Sequence, residues 1–336
     1  MKFYHITEPP LKIYGLAVAD RERRQFWRLN RQIMDRMPQY EFLGKRCVGG
    51  RIRFRTDSAD FCVRMTLAQA KEDVNIPLSG SAGADVYLGR GMESVFLGYV
   101  APQEHVIEEI TAEKLFHKNS RMETVTVNLP RNDYLLSMEI GIDESAHIEE
   151  AEEYTFAKPI IFYGSSITEG GCASRAGNAY TSIVSRWMDA DYYNFGFSGS
   201  ARGEKEFAQY IGALPEPGAF VYDYDHNSPD PQHLADTHEE FFKIVRQAHP
   251  EIPVIIMTRP DVEGDKDHAA ERRDIIRRTY EKAVAAGDHK VWFLDGGRFF
   301  GDNGRAECLV DGTHPNALGF MRMAEILFPV LKEAMK

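Results

Sequence analysis

The segment Pro159-Ile160-Ile161-Phe162-Tyr163-Gly164-Ser165-Ser166-Ile167-Thr168-Glu169-Gly170-Gly171 passes from an uninterrupted apolar run to small and polar residues. An apolar run without alternation is typical of a strand buried on both faces of a parallel sheet. The small residues that follow allow the chain to turn sharply from strand to helix and to expose a serine hydroxyl at the sheet edge. The segment therefore predicts a strand, a tight turn and a helix start, although a serine here could equally be an N-cap.

The same order of strand and helix repeats through the rest of the chain. Short apolar runs predict strands over residues 159–163, 192–195, 219–222, 254–257 and 291–294. Segments of helical length cover residues 178–190, 203–213, 232–248, 267–287 and 317–335. This alternation predicts an α/β fold with a three-layer, doubly wound (flavodoxin-like) five-stranded parallel sheet. Ligands of such sheets bind beyond the carboxyl ends of the strands, so chemistry is expected in the residues after each strand.

Residues 48–142 have a different pattern, with a period of two. Charged and apolar residues alternate over residues 51–55, and a similar alternation continues over residues 61–67. Strands with one buried face have this period, and the Gly, Asn and Pro residues between the runs predict a jelly-roll-like antiparallel β-sandwich. The glutamate-rich residues 144–153 predict a linker. We therefore expect a sandwich domain over residues 1–150, with an accessory or carbohydrate-binding role, and an α/β domain over residues 151–336.

Composition and charge exclude several classes of function. The 336 residues carry 40 Lys and Arg against 51 Asp and Glu, a net charge of −11 that argues against nucleic acid or an anionic membrane as partner. No apolar run approaches the roughly 20 residues of a spanning helix, and the amino-terminal residues lack the apolar run of a secretion signal. The four cysteines are scattered, which favours reduced thiols. We therefore expect a cytoplasmic protein.

Polar residues follow several of the predicted strands. Ser166 follows the first strand, Gly196 the second and Asn227 the third, while Asp311 and His314 precede the last helix. Each segment alone also fits a structural role, as a helix cap, a flexible loop or an Asx-turn. Together they supply a nucleophile, oxyanion donors, a general base and a group that orients the base. This set predicts acyl transfer.

A metal site is the competing interpretation of the residues that follow the third predicted strand. Its candidate ligands are Asp223, Asp225, His226, His233 and His238. Hydrolytic zinc and manganese sites use such residue types, but these spacings match no known ligand motif. We therefore expect neither a metal nor an organic cofactor.

Residues 158–335 resemble the SGNH hydrolases, also called GDSL-type esterases and lipases. Gly164-Ser165-Ser166 is similar to the first family block, Gly-Asp-Ser, with Ser165 in place of the aspartate. Gly196 corresponds to the glycine of the second block, and Asn227 corresponds to the asparagine of the third block. The third block is usually Gly-x-Asn-Asp, whereas this chain has Asp225-His226-Asn227-Ser228 at that place. Asp311-Gly312-Thr313-His314-Pro315 corresponds to the final Asp-x-x-His-Pro block.

The resemblance implies that Ser166 is the nucleophile and that His314, oriented by Asp311, is its general base. It also implies that the backbone N–H groups of Ser166 and Gly196 and the Asn227 side chain bind the oxyanion. An amino-terminal sandwich resembles esterases that act on carbohydrates, so the expected partner is a small-molecule or oligosaccharide ester, with acetyl as the acyl group. An acyltransferase with the same site and a non-catalytic carbohydrate-binding protein are the alternatives. The role of the sandwich domain remains open: it could bind glycan, pack over the active site as one of its walls, or form the contact of a homodimer.

Overall fold

A computed structural model describes residues 1–260 and 267–336, which fold as two compact units. The first unit comprises Met1–Thr155, Cys172–Asn178 and Ser185–Tyr193, and the second comprises Phe156–Gly171, Ala179–Val184 and Asn194–Lys336. The predicted division into residues 1–150 and 151–336 remains a prediction. None of the described helices combines the length and the apolar character needed to cross a bilayer. The four cysteines are buried free thiols.

The first unit is built from antiparallel sheets, as predicted. Its strands are β1 (Lys2–His5), β2 (Lys12–Tyr14), β3 (Val18–Asp20), β4 (Gln25–Trp27), β5 (Arg51–Thr56), β6 (Asp60–Leu67), β7 (Ala84–Leu88), β8 (Val95–Val100), β9 (Ile110–His117), β10 (Glu123–Asn128), β11 (Leu135–Ile142) and β12 (Ile148–Glu149). Its helices are α1 (Arg31–Arg36), α2 (Glu41–Gly44) and α3 (Leu78–Ser81). One sheet has the strand order β1-β11-β6-β9, and the other has the order β12-β5-β10-β7-β8 with β2 paired to β5. Apolar side chains from both sheets form one core.

The alternation in β5 does not mark an exposed face, contrary to the expectation for a half-buried strand. Arg51 and Arg53 are buried, because residues 185–193 of the same unit supply partners for them. Arg51 pairs with Asp191 and lies 4.1 Å from the centre of the Tyr192 ring. The guanidinium of Arg53 pairs with Asp189. Buried guanidinium groups need such partners, since an unpaired charge in the interior is strongly unfavourable.

The glutamate-rich segment is part of the sandwich rather than a free linker. It contains β12, which pairs with β5. Glu149 forms an ion pair with Arg55, and Glu150 and Glu153 both pair with Lys12. The pairing of β12 with β5 therefore joins the segment to the sheet, and opposite charges lie along the contact.

The second sheet system is the predicted parallel one. Its strands are β13 (Phe156–Gly164), β14 (Ala190–Gly196), β15 (Ala219–Asp223), β16 (Val254–Met257) and β17 (Val291–Leu294). The helices are α4 (Ser166–Glu169), α5 (Tyr180–Met188), α6 (Lys205–Gly212), α7 (Pro231–Ala248), α8 (Ala269–Ala285) and α9 (Ala317–Ala334). The strand order β14-β13-β15-β16-β17 is the flavodoxin-like order, which confirms the predicted α/β fold.

Local sequence explains where these elements begin and end. All residues of β15 and β16 are buried, as expected for central strands covered on both faces. Asp230 caps α7, whose first residue is Pro231, and Asn316 caps α9. In the parallel register Gly164 lies opposite Asp223, so the carboxyl ends of β13 and β15 meet at one edge.

Candidate active site

Ser166 lies in the sharp turn between β13 and α4. The side chain of Ser165 accepts a hydrogen bond from the Ile167 N–H at 3.2 Å and so caps the helix. Ser165 thus performs the capping that an aspartate would also provide at this position. Ser166 is the first residue of the helix, directly after the end of β13, and is 9% exposed.

His314 and Ser166 meet across the fold. The Oγ of Ser166 lies 2.8 Å from Nε2 of His314, a hydrogen-bond distance. The other ring nitrogen of His314, Nδ1, lies 2.8 Å from Oδ2 of Asp311. The second carboxylate oxygen accepts the backbone N–H groups of Thr313 at 3.1 Å and His314 at 2.8 Å. The structure therefore brings together a hydroxyl, an imidazole and a carboxylate in the order that acyl transfer uses.

The surroundings of Asp311 favour its charged form. Partial burial acts to raise the pKa of the carboxyl, but the backbone N–H and the ring of His314 outweigh it, so the pKa of Asp311 falls below its usual value. An ionised Asp311 requires the His314 proton on Nδ1. The lone pair on Nε2 then faces Ser166, which is the tautomer a general base needs.

The predicted oxyanion donor at Gly196 already has an acceptor within the protein. Its N–H donates to Oδ1 of Asn194 at 2.9 Å, and the amide of Asn194 donates to the Thr168 carbonyl at 2.8 Å. A Cβ at position 196 would lie 2.1 Å from the Glu169 nitrogen. Glycine is therefore required here because β14 ends against the backbone of α4, and the geometry gives Gly196 a packing role.

Gly199, in the turn after β14, is not among the residues that the sequence predicts as oxyanion donors, although it lies in the same run as Gly196. It has φ +65°, a conformation that favours glycine, and it is exposed. The neighbouring Ser198 N–H donates to Oε2 of Glu169 at 3.0 Å, which fixes this turn to α4. In residues 1–260 and 267–336, the N–H groups of Gly199 and Ser166 have no acceptor. The sequence signal was the glycine itself, in the run Asn194-Phe195-Gly196-Phe197-Ser198-Gly199.

Asn227 lies beside the same turn. It ends the short 3₁₀ helix Asp225–Asn227 that follows β15, and its Nδ2 donates to the Phe197 carbonyl at 2.8 Å. A primary amide carries two N–H groups, so this bond positions the side chain and leaves one donor. The structure therefore links Asn227 to the turn that contains Gly199.

The residues proposed for a competing metal site do not converge. In the described part of the chain, no metal-ligand group forms among Asp223, Asp225, His226, His233 and His238. His238 is buried against Tyr222, with Nδ1 bonded to Oγ1 of Thr279 at 2.8 Å. His233 is bonded through Nε2 to the Arg202 carbonyl at 2.9 Å. These histidines serve the fold.

Comparison with protein families identifies the chain. Residues 157–332 match the GDSL-like lipase/acylhydrolase family, and residues 1–148 match the GxDLY domain, the amino-terminal part of SGNH hydrolase-type esterases. The chain belongs to the GDSL-like lipase/acylhydrolase family, which confirms the predicted recognition and the predicted class of carboxylic ester hydrolase. A search of curated protein sequences gave no match.

Solved structures share the complete two-part architecture. A protein from Bacteroides ovatus ATCC 8483, described as a GDSL-like lipase, is 27% identical with a TM-score of 0.85, over 99% of this chain and 98% of its own. The salicylyl-acyltransferase SsfX3 of a tetracycline biosynthetic pathway is 22% identical with a TM-score of 0.76, over 96% and 94%. The acetyl xylan esterase Est2A of the rumen bacterium Butyrivibrio proteoclasticus is 14% identical with a TM-score of 0.61, over 99% and 98%. The last two likenesses show the fold.

Proposed function

We propose that this protein is a serine esterase that removes a small acyl group, acetyl in the first place, from a carbohydrate or a similar polar ester. The observation that carries the proposal is the pair of 2.8 Å contacts that join Ser166 to His314 and His314 to Asp311. A serine hydroxyl is a weak nucleophile unless a base removes its proton, and this arrangement provides the base in the required tautomer.

Acylation begins when the Ser166 oxygen attacks the ester carbonyl and its proton moves to Nε2 of His314. Asp311 stays ionised and stabilises the imidazolium that forms. The tetrahedral intermediate then expels the alcohol, which takes the proton from His314. Ser166 is left as an acyl ester. Water enters, gives a proton to His314 and attacks the acyl group, and the carboxylic acid leaves as Ser166 recovers its proton.

The donors available for the oxyanion differ from the expected set. We assign them as the backbone N–H groups of Ser166 and Gly199 and the second N–H of the Asn227 amide. The bond from Gly196 to Asn194 argues against Gly196 as a donor. Such preorganised donors stabilise charge that develops only in the transition state, and each is worth on the order of 10²- to 10³-fold in kcat.

The substrate class rests on similarity. Est2A is an acetyl xylan esterase, and its two-part fold is shared by this chain. The acidic net charge of −11 does not favour a polyanionic substrate, which leaves neutral saccharides as the expected class. The expected cytoplasmic location and the absence of nucleic-acid and membrane partners remain predictions.

An acyltransferase is the second candidate function. SsfX3, a salicylyl-acyltransferase, shares the fold over nearly the whole chain. The same acyl-enzyme serves both reactions, and the outcome depends on whether water or another alcohol reaches it. Hydrolysis and transfer are separated by analysing the products of an acetyl ester with and without an added sugar alcohol.

Covalent labelling tests the proposed function directly. A fluorophosphonate should label the wild-type protein and fail to label Ser166→Ala, because only an activated serine reacts at an appreciable rate. A panel of p-nitrophenyl esters from acetate to octanoate should show turnover that falls with chain length. An unlabelled wild-type protein would support the non-catalytic alternative.

A further inference from the structure

Two buried arginines lie beneath the turn that carries Asn227. Arg259 follows β16 and Arg272 lies on α8, and both are almost completely buried, Arg272 at 0% exposure. Neither belongs to the Ser166, His314 and Asp311 set. A buried guanidinium is unfavourable without acceptors and opposite charges around it, so the groups that these two side chains contact indicate what they do.

Arg272 closes the turn after β15. Its Nη1 donates to two backbone carbonyls, that of Asp225 at 2.9 Å and that of Ser228 at 3.1 Å. These two residues flank His226 and Asn227. Its Nε donates to the Asp267 carbonyl at 2.9 Å, which gives the guanidinium a third backbone acceptor. The planar guanidinium of Arg272 thus fixes the two ends of the turn formed by residues 225–228 relative to each other.

Arg259 fixes the same turn through the Asp225 side chain. Oδ2 of Asp225 lies 3.4 Å from Nε of Arg259 and accepts the Arg259 backbone N–H at 3.3 Å. Nη2 of Arg259 also reaches the Asp225 carbonyl at 3.4 Å and Oδ2 of Asp267 at 3.1 Å. Asp225 is therefore held through both its carboxylate and its carbonyl group.

We infer that Arg272, assisted by Arg259, is a positioning residue that holds the Asn227 amide where it binds the oxyanion. The inference rests on the proposed function, since it assigns a role toward the transition state of that reaction. Among the described residues, the Asn227 side chain donates to the Phe197 carbonyl, and within the turn the Asn227 N–H bonds to the Tyr224 carbonyl and the Ser228 N–H to the Asp225 carbonyl. The guanidinium bonds of Arg272 to the carbonyls of Asp225 and Ser228 add a constraint from outside the turn.

Lysine cannot replace Arg272 in this role. An ammonium group is a single point of charge, whereas the rigid fork of a guanidinium binds separate acceptors at fixed angles. Arg272→Lys should therefore release one end of the turn while keeping the positive charge. A small displacement of a group that acts on the transition state lowers kcat by about 10- to 100-fold with little change in KM.

Arg246 offers a matched control. It lies near the end of α7, and its Nη1 also donates to backbone carbonyls, those of His249 at 3.2 Å, Pro250 at 3.2 Å and Ile252 at 2.6 Å. These acceptors precede β16, at the edge of the sheet opposite to the turn of Asn227. Arg246→Lys should lower the melting temperature without changing kcat.

The experiment is a double-mutant cycle. Arg272→Lys, Asn227→Ala and the double variant are compared by kcat and KM for p-nitrophenyl acetate, and hydrogen exchange is measured for residues 225–228. In the wild-type background we expect Arg272→Lys to lower kcat about 10- to 100-fold and to speed hydrogen exchange in the turn. In the Asn227→Ala background we expect the same substitution to lower kcat by less than about twofold. Arg259→Lys should show the same pattern more weakly.

Two results would overturn the inference. An equal loss of kcat in both Asn227 backgrounds would mean that Arg272 acts elsewhere, and unchanged exchange of residues 225–228 would mean that it does not hold the turn. Failure of the proposed function has a different signature, because the wild-type protein would then show no turnover that depends on Ser166. The exchange measurement keeps its meaning in that case, since it needs no substrate.

Discussion

The Oγ of Ser166 lies 2.8 Å from Nε2 of His314, although 148 residues separate them along the chain. Ser166 is fixed by the turn after β13, and His314 by the loop that precedes α9. The proposed nucleophile and the proposed base thus come from two different elements of the fold, and each can be tested separately.

Replacement of Ser166 by alanine should remove activity without weakening the fold. Within the described residues the Ser166 side chain bonds to His314 alone, and Ser165 already caps the helix. We expect the turnover of p-nitrophenyl acetate to fall on the order of 10⁴- to 10⁶-fold, with an unchanged melting temperature.

Ser165→Ala is the matched control for that change. Loss of the N-cap should lower the free energy of unfolding by about 1 kcal/mol, while labelling of Ser166 by a fluorophosphonate persists. If Ser165→Ala abolished labelling and Ser166→Ala did not, the assignment of the nucleophile would be wrong.

Asp311→Asn should lower kcat on the order of 10⁴-fold, because a neutral amide no longer stabilises the imidazolium or selects the tautomer. The pKa of Asp311 is lowered by its bonds from His314, so the carboxylate stays charged as the solution is acidified to pH 5. The loss in the variant should therefore appear at every pH between 5 and 8 in a pH–rate profile. Recovery of wild-type kcat at any pH in this range would contradict the role of Asp311.

The two asparagines near the site should respond differently to truncation. Asn227→Ala removes a proposed oxyanion donor, and we expect kcat to fall about 10²- to 10³-fold with a small effect on stability. Asn194 is buried and bonded to Gly196, Thr168 and Thr181. Asn194→Ala should lower the free energy of unfolding by about 1–3 kcal/mol, because buried polar groups lose their partners.

Kinetics and urea unfolding of both variants separate these effects. If Asn194→Ala kept its stability and lost more kcat than Asn227→Ala, the roles assigned to the two residues would have to be exchanged.

His238 should make the stability of the protein depend on pH. Burial lowers the pKa of His238 to about 3, against about 6.5 in an unfolded chain. Between these values the unfolded chain binds more protons than the folded one, so the contribution of this residue is fully present above pH 6.5 and is lost as the pH falls toward 3.

The measurement is the melting temperature of wild type and His238→Gln between pH 7 and pH 4. We expect the wild-type value to fall more steeply, because glutamine does not titrate. Parallel curves would show that other groups control the acid sensitivity.

The family blocks at Ser166, Asp311 and His314 and the order of strands and helices followed from the sequence. A strand buried on both faces can be recognised from its own uninterrupted apolar residues, and a family block can be recognised from a few consecutive residues. The burial of Arg51 and Arg53 had no such signature, because the alternation in β5 is the same whether its second face meets water or residues 185–193.

The choice between Gly196 and Gly199 as a proposed oxyanion donor required the structure for a similar reason. Gly196 and Gly199 are both glycines in one run, and only the folded backbone shows that the N–H of Gly196 is bonded to Asn194 while that of Gly199 has no acceptor among the described residues. The sequence by itself determined which elements form and which residue types are available for chemistry, since these depend on local periodicity and short motifs. Tertiary structure alone decided which donors are used up and which guanidinium groups hold the turn of Asn227, since hydrogen bonds between distant segments exist only once the chain has folded.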